Sequence, residues 1–450
     1  MSEFAVEVFQ NEYLPEGGRE VNAIVTVTAT GGATSGTRTD AAEVIIIDTS
    51  GSMDYPPTKL RAAKRATAAA IDALRDGVWF AVVAGAHAAR PIYPERGLVA
   101  ADAATRARAK LAVAAVRADG GTAIGQWLLL AGRLFAEHPT AIKHAILLTD
   151  GRNQHERPEE LDGVLDGCRG AFTCDCRGIG TDWEVSELRR VSTALLGTVD
   201  IVAEPSQLEA DFTAMTAAAM GKRLAEVNLR LWTPQGAAVR FVKQVAPDML
   251  DLTDRRVETG PRTADYPTGS WGAESRDYHV CVEVRPAGVG DRMLAGRVSM
   301  VVPGDAGGGG GGASAGASAG GASAGATGGG EDAVLAQGRM LAVWTDDDAL
   351  STRINRQVAH YTGQGELADA IQQGLAARRA GDVETATAKL GRAVALATEH
   401  GNDETAKLLA RVVEVDDPVT GTVRLRSRVA TVDEMTLDTR STKTARVKKP

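Results

Sequence analysis

The sequence predicts an α/β domain with a doubly wound, mostly parallel sheet, inserted in an antiparallel β-sandwich and followed by a helical C-terminal segment. Three observations point there. Apolar runs of strand length alternate with amphipathic stretches between about residues 43 and 220, strands of period two lie on both sides of that region, and a helical period takes over after about residue 350. Continuous apolar strands separated by helices build a parallel sheet covered on both faces, whereas apolar/polar alternation marks antiparallel strands with one buried face.

In chain order, residues 1–40 hold FAVEVF and VNAIVTV, read as the first sandwich strands. Residues 41–221 form the α/β domain, with EVIIID, VWFAVVAG, KHAILLTD, FTCDCRGIG and TVDIVAEP as its strands. The helix after the first of these is bounded by Pro57 and Gly77, and Leu60, Ala63, Ala66, Ala70 and Leu74 give it an apolar stripe. Residues 222–303 return to period two in EVNLRLW, DYHVCVEV and RVSMVV, so the sandwich closes after the insertion.

Residues 304–330 are nearly all Gly, Ala and Ser, with no side chains able to build a core, and are expected to be a flexible loop or linker. GRMLAVW, within residues 331–349, reads as one more sandwich strand, which places the tract inside the β domain rather than at a boundary. Residues 350–415 read as a helical hairpin turned at Gly381 and Asp382. Its small-residue spacing resembles one tetratricopeptide-like unit; since solenoids need about three repeats, a helical cap on the β domain is expected. Residues 416–450 are rich in Thr, carry Arg440, Lys443, Arg446, Lys448 and Lys449, and are expected to be a flexible tail. Phosphorylation between Thr436 and Thr444 would let such a tail dock to a phosphopeptide-binding protein.

Composition narrows the function. With 24% charged residues and a net charge of -8, the chain lacks the basic field that nucleic acid requires. No run approaches the 18 or so apolar residues of a membrane span, and the N-terminal residues lack the pattern of a signal peptide, so a cytoplasmic address is expected. Cys168, Cys174 and Cys176 do not follow a standard zinc spacing and are expected to be reduced, buried structural residues.

The stretch EVIIIDTSGSM ends a buried strand with Asp48, Ser50 and Ser52 crowded on one loop. A loop leaving the carboxyl end of a parallel strand faces the crevice where such sheets bind ligands. GGTAIG, with Thr122, and LLTDGRN, with Asp150, can complete the cluster. Two carboxylates and three hydroxyls are hard oxygen donors, suited to Mg²⁺, Mn²⁺ or Ca²⁺ rather than Zn²⁺. Taken singly, each is also an ordinary capping or loop residue.

The order D-x-S-x-S, then a GGT loop about seventy residues on, then a strand-ending TDG resembles the metal-ion-dependent adhesion site of von Willebrand factor type A domains, over roughly residues 43–220. The resemblance implies a divalent cation held by Ser50, Ser52 and Thr122, with Asp48 and Asp150 binding directly or through water. It further implies an open coordination position for a carboxylate on a partner protein. An adaptor for an AAA-type ATPase is a second possibility that it suggests.

An enzyme is not expected. The chain has no G-x-S-x-G elbow, phosphate loop or HExxH motif, and DTS is not the D-x-D of aspartyl phosphatases. His155 could serve as a base on metal-bound water in a hydrolase, but reads more simply as a loop histidine. Asp182 and Trp183 follow a strand and either line the rim of the metal site or, in the case of Asp182, cap a helix.

Overall fold

The computed structural model describes residues 3–30, 40–304, 332–444 and 446. Strands β1 (Glu3–Gln10), β2 (Tyr13–Pro15) and β3 (Glu20–Thr30) precede the α/β domain. That domain runs through β4 (Ala41–Asp48), α1 (Thr58–Ala73), β5 (Trp79–Gly85), β6 (Ala89–Tyr93), β7 (Val99–Ala100), α2 (Ala103–Ala115), α3 (Ile124–Ala136) and β8 (Ile142–Thr149). It continues with α4 (Pro158–Cys168), β9 (Thr173–Ile179), α5 (Val185–Ala194), β10 (Val199–Val202) and α6 (Leu208–Met220).

The sheet order is β10-β9-β8-β4-β5-β6, with β10, β9, β8, β4 and β5 mutually parallel and β6 antiparallel at one edge. The run EVIIID explains why both faces are covered. Val44 and Ile46 pack with Trp127, Phe135, Leu161 and Leu188 from α3, α4 and α5, while Ile45 and Ile47 pack with Leu60, Ile71, Phe212 and Met215 from α1 and α6. A strand with no polar face can sit only in the middle of such a sheet. α1 begins after Pro57, as the sequence suggests, but stops at Ala73; Gly77, at φ 84°, serves the turn beyond it.

The chain then returns through β11 (Asn228–Trp232), β12 (Ala238–Ala246), β13 (Leu250–Asp251), β14 (Val257–Gly260), β15 (Thr263–Pro267), β16 (Glu274–Glu283), β17 (Arg292–Val302) and β18 (Ala333–Thr345). These form two sheets, β1-β3-β16-β12-β13 and β14-β15-β11-β17-β18-β2. Because β3 pairs with β16 and β2 with β18, strands from before and after the α/β domain share sheets, which makes that domain an insertion. Phe4, Val25, Leu229, Trp271, Tyr278, Met340 and Trp344 fill the space between the sheets. Residues 305–331, which contain most of the glycine-rich tract, lie outside the described residues. The strands flanking them pair directly, with Val302 opposite Ala333.

Four helices follow: α7 (Asp348–Ser351), α8 (Arg356–Arg379), α9 (Val383–Glu399) and α10 (Asp403–Val412). The α8/α9 hairpin turns at Gly381, at φ 79°, and Asp382 caps α9 by accepting the Thr385 N–H at 3.0 Å. It is a cap rather than an array: Val358 and Tyr361 of α8 sit on Ile24, Val245 and Ala246 of the sandwich. Residues 416–444 depart from the expected flexible tail. They complete a hairpin of β19 (Val413–Asp417) with β20 (Thr422–Leu425) and add α11 (Thr431–Arg440), whose Leu437 joins the core of Ile371, Leu390 and Leu409. The reason is sparse but well-placed apolar residues, Val423, Met435 and Leu437, that composition averages away. Thr436 and Thr439, two candidate phosphorylation sites, are buried. Among the described residues, no helix is long and apolar enough to cross a membrane.

Candidate functional site

The carboxyl ends of β4 and β8 deliver Asp48 and Asp150 to one crevice, and both side chains are fully buried. Asp48 accepts the Ser50 N–H at 2.7 Å through Oδ1 and the Thr149 hydroxyl at 2.5 Å through Oδ2. The Ser50 and Ser52 hydroxyls lie 2.9 Å apart, and Ser52 Oγ donates to Asp150 Oδ1 at 2.7 Å. Thr122 arrives from the loop before α3. A β-carbon built on Gly151 would stand 3.1 Å from Thr122 Oγ1, 3.4 Å from Ser52 Oγ and 3.9 Å from Asp48 Oδ2, so oxygens from two loops converge beside a third. All five residues singled out in the sequence therefore meet.

Backbone bonds fix this meeting. Gly51 N donates to Gly120 O at 2.9 Å, Asp119 N to Thr49 O at 2.7 Å, and Thr49 N to Gly85 O at 2.7 Å. Gly120 must be glycine twice over: its φ is 82°, and a β-carbon would come 2.4 Å from His87 Nδ1. The start of α3 is held from outside, since Ala123 at its N-cap has no side-chain acceptor. Asn153 Oδ1 takes the Ile124 N–H at 3.0 Å and Glu156 Oε2 the Gly125 N–H at 2.8 Å. His155 accepts the Thr122 N–H at 3.2 Å through Nδ1 and returns its own N–H to Thr122 O at 3.0 Å. The loop after Asp150 thus ties down the loop that carries Thr122.

Electrostatics favour a cation. Burial pushes the Asp48 carboxyl up to about 6, against the hydrogen bonds from Ser50 and Thr149 that favour the carboxylate. A buried carboxylate with hydroxyls turned toward a shared point is uncompensated charge that a divalent ion would satisfy. The donor set, all oxygen, fits Mg²⁺, Mn²⁺ or Ca²⁺.

Some participants escaped the sequence reading. Lys59, in the first turn of α1, places Nζ 2.7 Å from Asp150 Oδ2 and 3.1 Å from Asp182 Oδ2. Asp182 is thereby a rim residue rather than a cap: the N-cap of α5 is Glu184, while Trp183 is buried and donates its indole N–H to Gly180 O at 3.1 Å. Thr149 was hidden in plain view beside Asp150. All four cysteines are buried and free, and the bond to Cys176, with burial, pushes the Cys174 thiol well above its ordinary range.

A doubly wound sheet whose carboxyl edge gathers acids and hydroxyls around a crevice defines a ligand-binding α/β domain. Comparison places it in a family. Residues 42–201 match the von Willebrand factor type A domain, and residues 395–441 match the von Willebrand factor type A C-terminal domain. A solved structure, a von Willebrand factor type A protein from Catenulispora acidiphila, is 52% identical with a TM-score of 0.89, covering 99% of this chain and 98% of that one. The ArnB paralog VWA2 from Sulfolobus acidocaldarius shares the fold at 13% identity and a TM-score of 0.57, with 98% of each chain covered. No curated protein matches the chain. The chain belongs to the von Willebrand factor type A family, whose domains generally serve protein–protein interaction, with a divalent metal at the adhesion site in some members.

Proposed function

We propose that this protein binds other proteins in a metal-dependent manner, with Asp48, Ser50, Ser52, Thr122 and Asp150 holding one Mg²⁺, Mn²⁺ or Ca²⁺ ion. Capture is completed by an Asp or Glu side chain of the partner. The observation that carries this reading is the convergence of Thr122, Ser52 and Asp48 oxygens beside Gly151, with both carboxylates buried. When bound, the cation supplies a positive centre that attracts an outside carboxylate. The chain's own residues orient it: Thr149 fixes Asp48, Ser52 bonds to Asp150, and His155 holds the Thr122 loop.

The approach is open. Ser52 is exposed, and Tyr55, three residues on, is 84% exposed, an aromatic surface of the kind that anchors interfaces. We read the protein as a cytoplasmic binding protein or adaptor rather than an enzyme. His155, the one base considered, spends Nδ1 on the backbone of Thr122, which supports that reading.

Two measurements test it. Calorimetric titration with Mg²⁺, Mn²⁺ and Ca²⁺ should give one site that Asp48→Ala with Asp150→Ala removes. Affinity capture from lysate, with and without chelator, should yield a partner lost both on chelation and in the double variant. Metal binding undiminished in that variant would defeat the reading.

A further inference from the structure

Lys59 occupies an unusual place for a lysine. Its residue is 7% exposed, and its ammonium is wedged between Asp150, a proposed metal ligand, and Asp182 at the rim. Gly180, which turns the chain beside it at φ 71°, packs against its stem: a β-carbon there would stand at ordinary contact, 3.4 Å from Lys59 Cε. The ammonium is held by ion pairs to both carboxylates, at 2.7 Å to Asp150 Oδ2 and 3.1 Å to Asp182 Oδ2. Asp150 is therefore engaged on both oxygens: Ser52 donates to Oδ1 at 2.7 Å, and Lys59 donates to Oδ2 at 2.7 Å.

That arrangement alters the charge balance of the site. Asp48 and Asp150 alone would neutralise a dication. With a fixed ammonium already bonded to Asp150, the dication shares that carboxylate with a resident positive charge, and the two cations repel in a partly buried setting where screening is weak. Asp182 offsets this only in part, since its side chain is 68% exposed and solvated. Metal plus Lys59 then carries surplus positive charge, which one further carboxylate removes.

We propose, resting on the metal-site reading above, that Lys59 is a positioning residue that keeps the site's affinity for a lone divalent cation low and couples its retention to an acidic ligand. Metal and carboxylate bind cooperatively, each strengthening the other through the same surplus charge. Lys59 thereby selects for partners that bring a carboxylate rather than a neutral oxygen.

The test is Mn²⁺ titration by calorimetry and by the paramagnetic resonance of free Mn²⁺, with and without excess acetate as the carboxylate probe, on the full chain. Lys59→Met keeps the bulk of the side chain and removes the charge. It should tighten Mn²⁺ by about tenfold or more and abolish most of the gain that acetate gives the natural protein. Lys59→Arg, which keeps the charge, should restore weak binding and the acetate effect. Asp182→Asn, an exposed change, should weaken Mn²⁺ by roughly threefold, since the ammonium then rests on Asp150 alone. Melting curves report whether each variant is folded; should Lys59→Met not fold, Asp182→Asn and Lys59→Arg carry the test. Equal Mn²⁺ affinity in natural, Lys59→Met and Asp182→Asn proteins overturns the role of Lys59 while leaving the metal site standing. Mn²⁺ binding absent from every form defeats the metal site and this proposal together.

Discussion

His144 Nδ1 lies 2.9 and 3.0 Å from the two carboxylate oxygens of Glu43, a residue with no solvent exposure at the amino-terminal end of β4. The other ring nitrogen meets Asp175 Oδ2 at 3.1 Å, and Asp175 is itself held by the Thr198 N–H and hydroxyl at 2.7 and 2.8 Å. Neighbouring strands β4, β8 and β9 thus share a polar bolt at the end of the sheet opposite the crevice that holds Asp48 and Asp150. Replacing His144 by Phe strands the Glu43 charge in the core, at a cost of about 3–5 kcal/mol. Urea denaturation measures this. A double change, Glu43→Met with His144→Leu, should recover much of the loss, because two apolar side chains leave no charge unpaired.

Stability should fall on both sides of neutral pH, through different histidines. Burial opposes the charge on His144, but the Glu43 carboxylate and the bonds to Asp175 and Glu43 push it up from 6.5 to about 10. A raised value means that its contribution is complete below 6.5 and drains away as pH climbs toward 10. Burial, with the Lys243 charge beside it, pushes His279 down from 6.5 to about 4. Its contribution is complete above 6.5 and is lost as pH falls toward 4. Unfolding free energies from pH 4 to 10 should show His144→Phe flattening the alkaline limb and His279→Phe the acid limb.

The proposed metal site should trade stability for binding. Burial without a compensating ion disfavours the Asp48 carboxylate, so Asp48→Asn should melt at or above the temperature of the metal-free natural protein. In added Mg²⁺ the order should reverse, because a ligand that binds only the folded state stabilises it. Scanning calorimetry with and without Mg²⁺ reads both halves.

Asp438, nearly buried on α11, joins two units of the fold. It accepts from Arg189 of α5 at 2.9 Å and from Arg379 of α8 at 2.5 Å. Asp438→Ala leaves both guanidinium groups short of a partner and should cost about 2–3 kcal/mol. Removal of residues 428–450 should cost more, because it also strips Leu437 from its core. Thermal melting distinguishes this from a dispensable tail, whose loss would leave the transition unmoved.

Replacing residues 306–329 by a short linker should shift the melting temperature little, since β17 and β18 pair directly on either side and loop-closure entropy changes by only about 0.6 kcal/mol per doubling of length. A large fall would show that the tract makes contacts of its own.

The alternation of apolar runs and helices and the period-two flanks were legible because each reports burial one element at a time. EVIIID is apolar on both faces, so it had to be a central strand, and DTSGSM then had to fall at a carboxyl edge. The site motif was legible because chemistry fixes which side chains can stand there. What the sequence alone determined was therefore the layer order, the inserted sheet and the five oxygen-bearing residues. Only the tertiary structure decided that Lys59 reaches Asp150 across 91 positions, that Glu43, His144 and Asp175 line up on three strands, and that α11 docks instead of drifting. Each of these depends on a pairing between distant segments, and the energy of a pair resides in the distance between its members, which no local period or composition records.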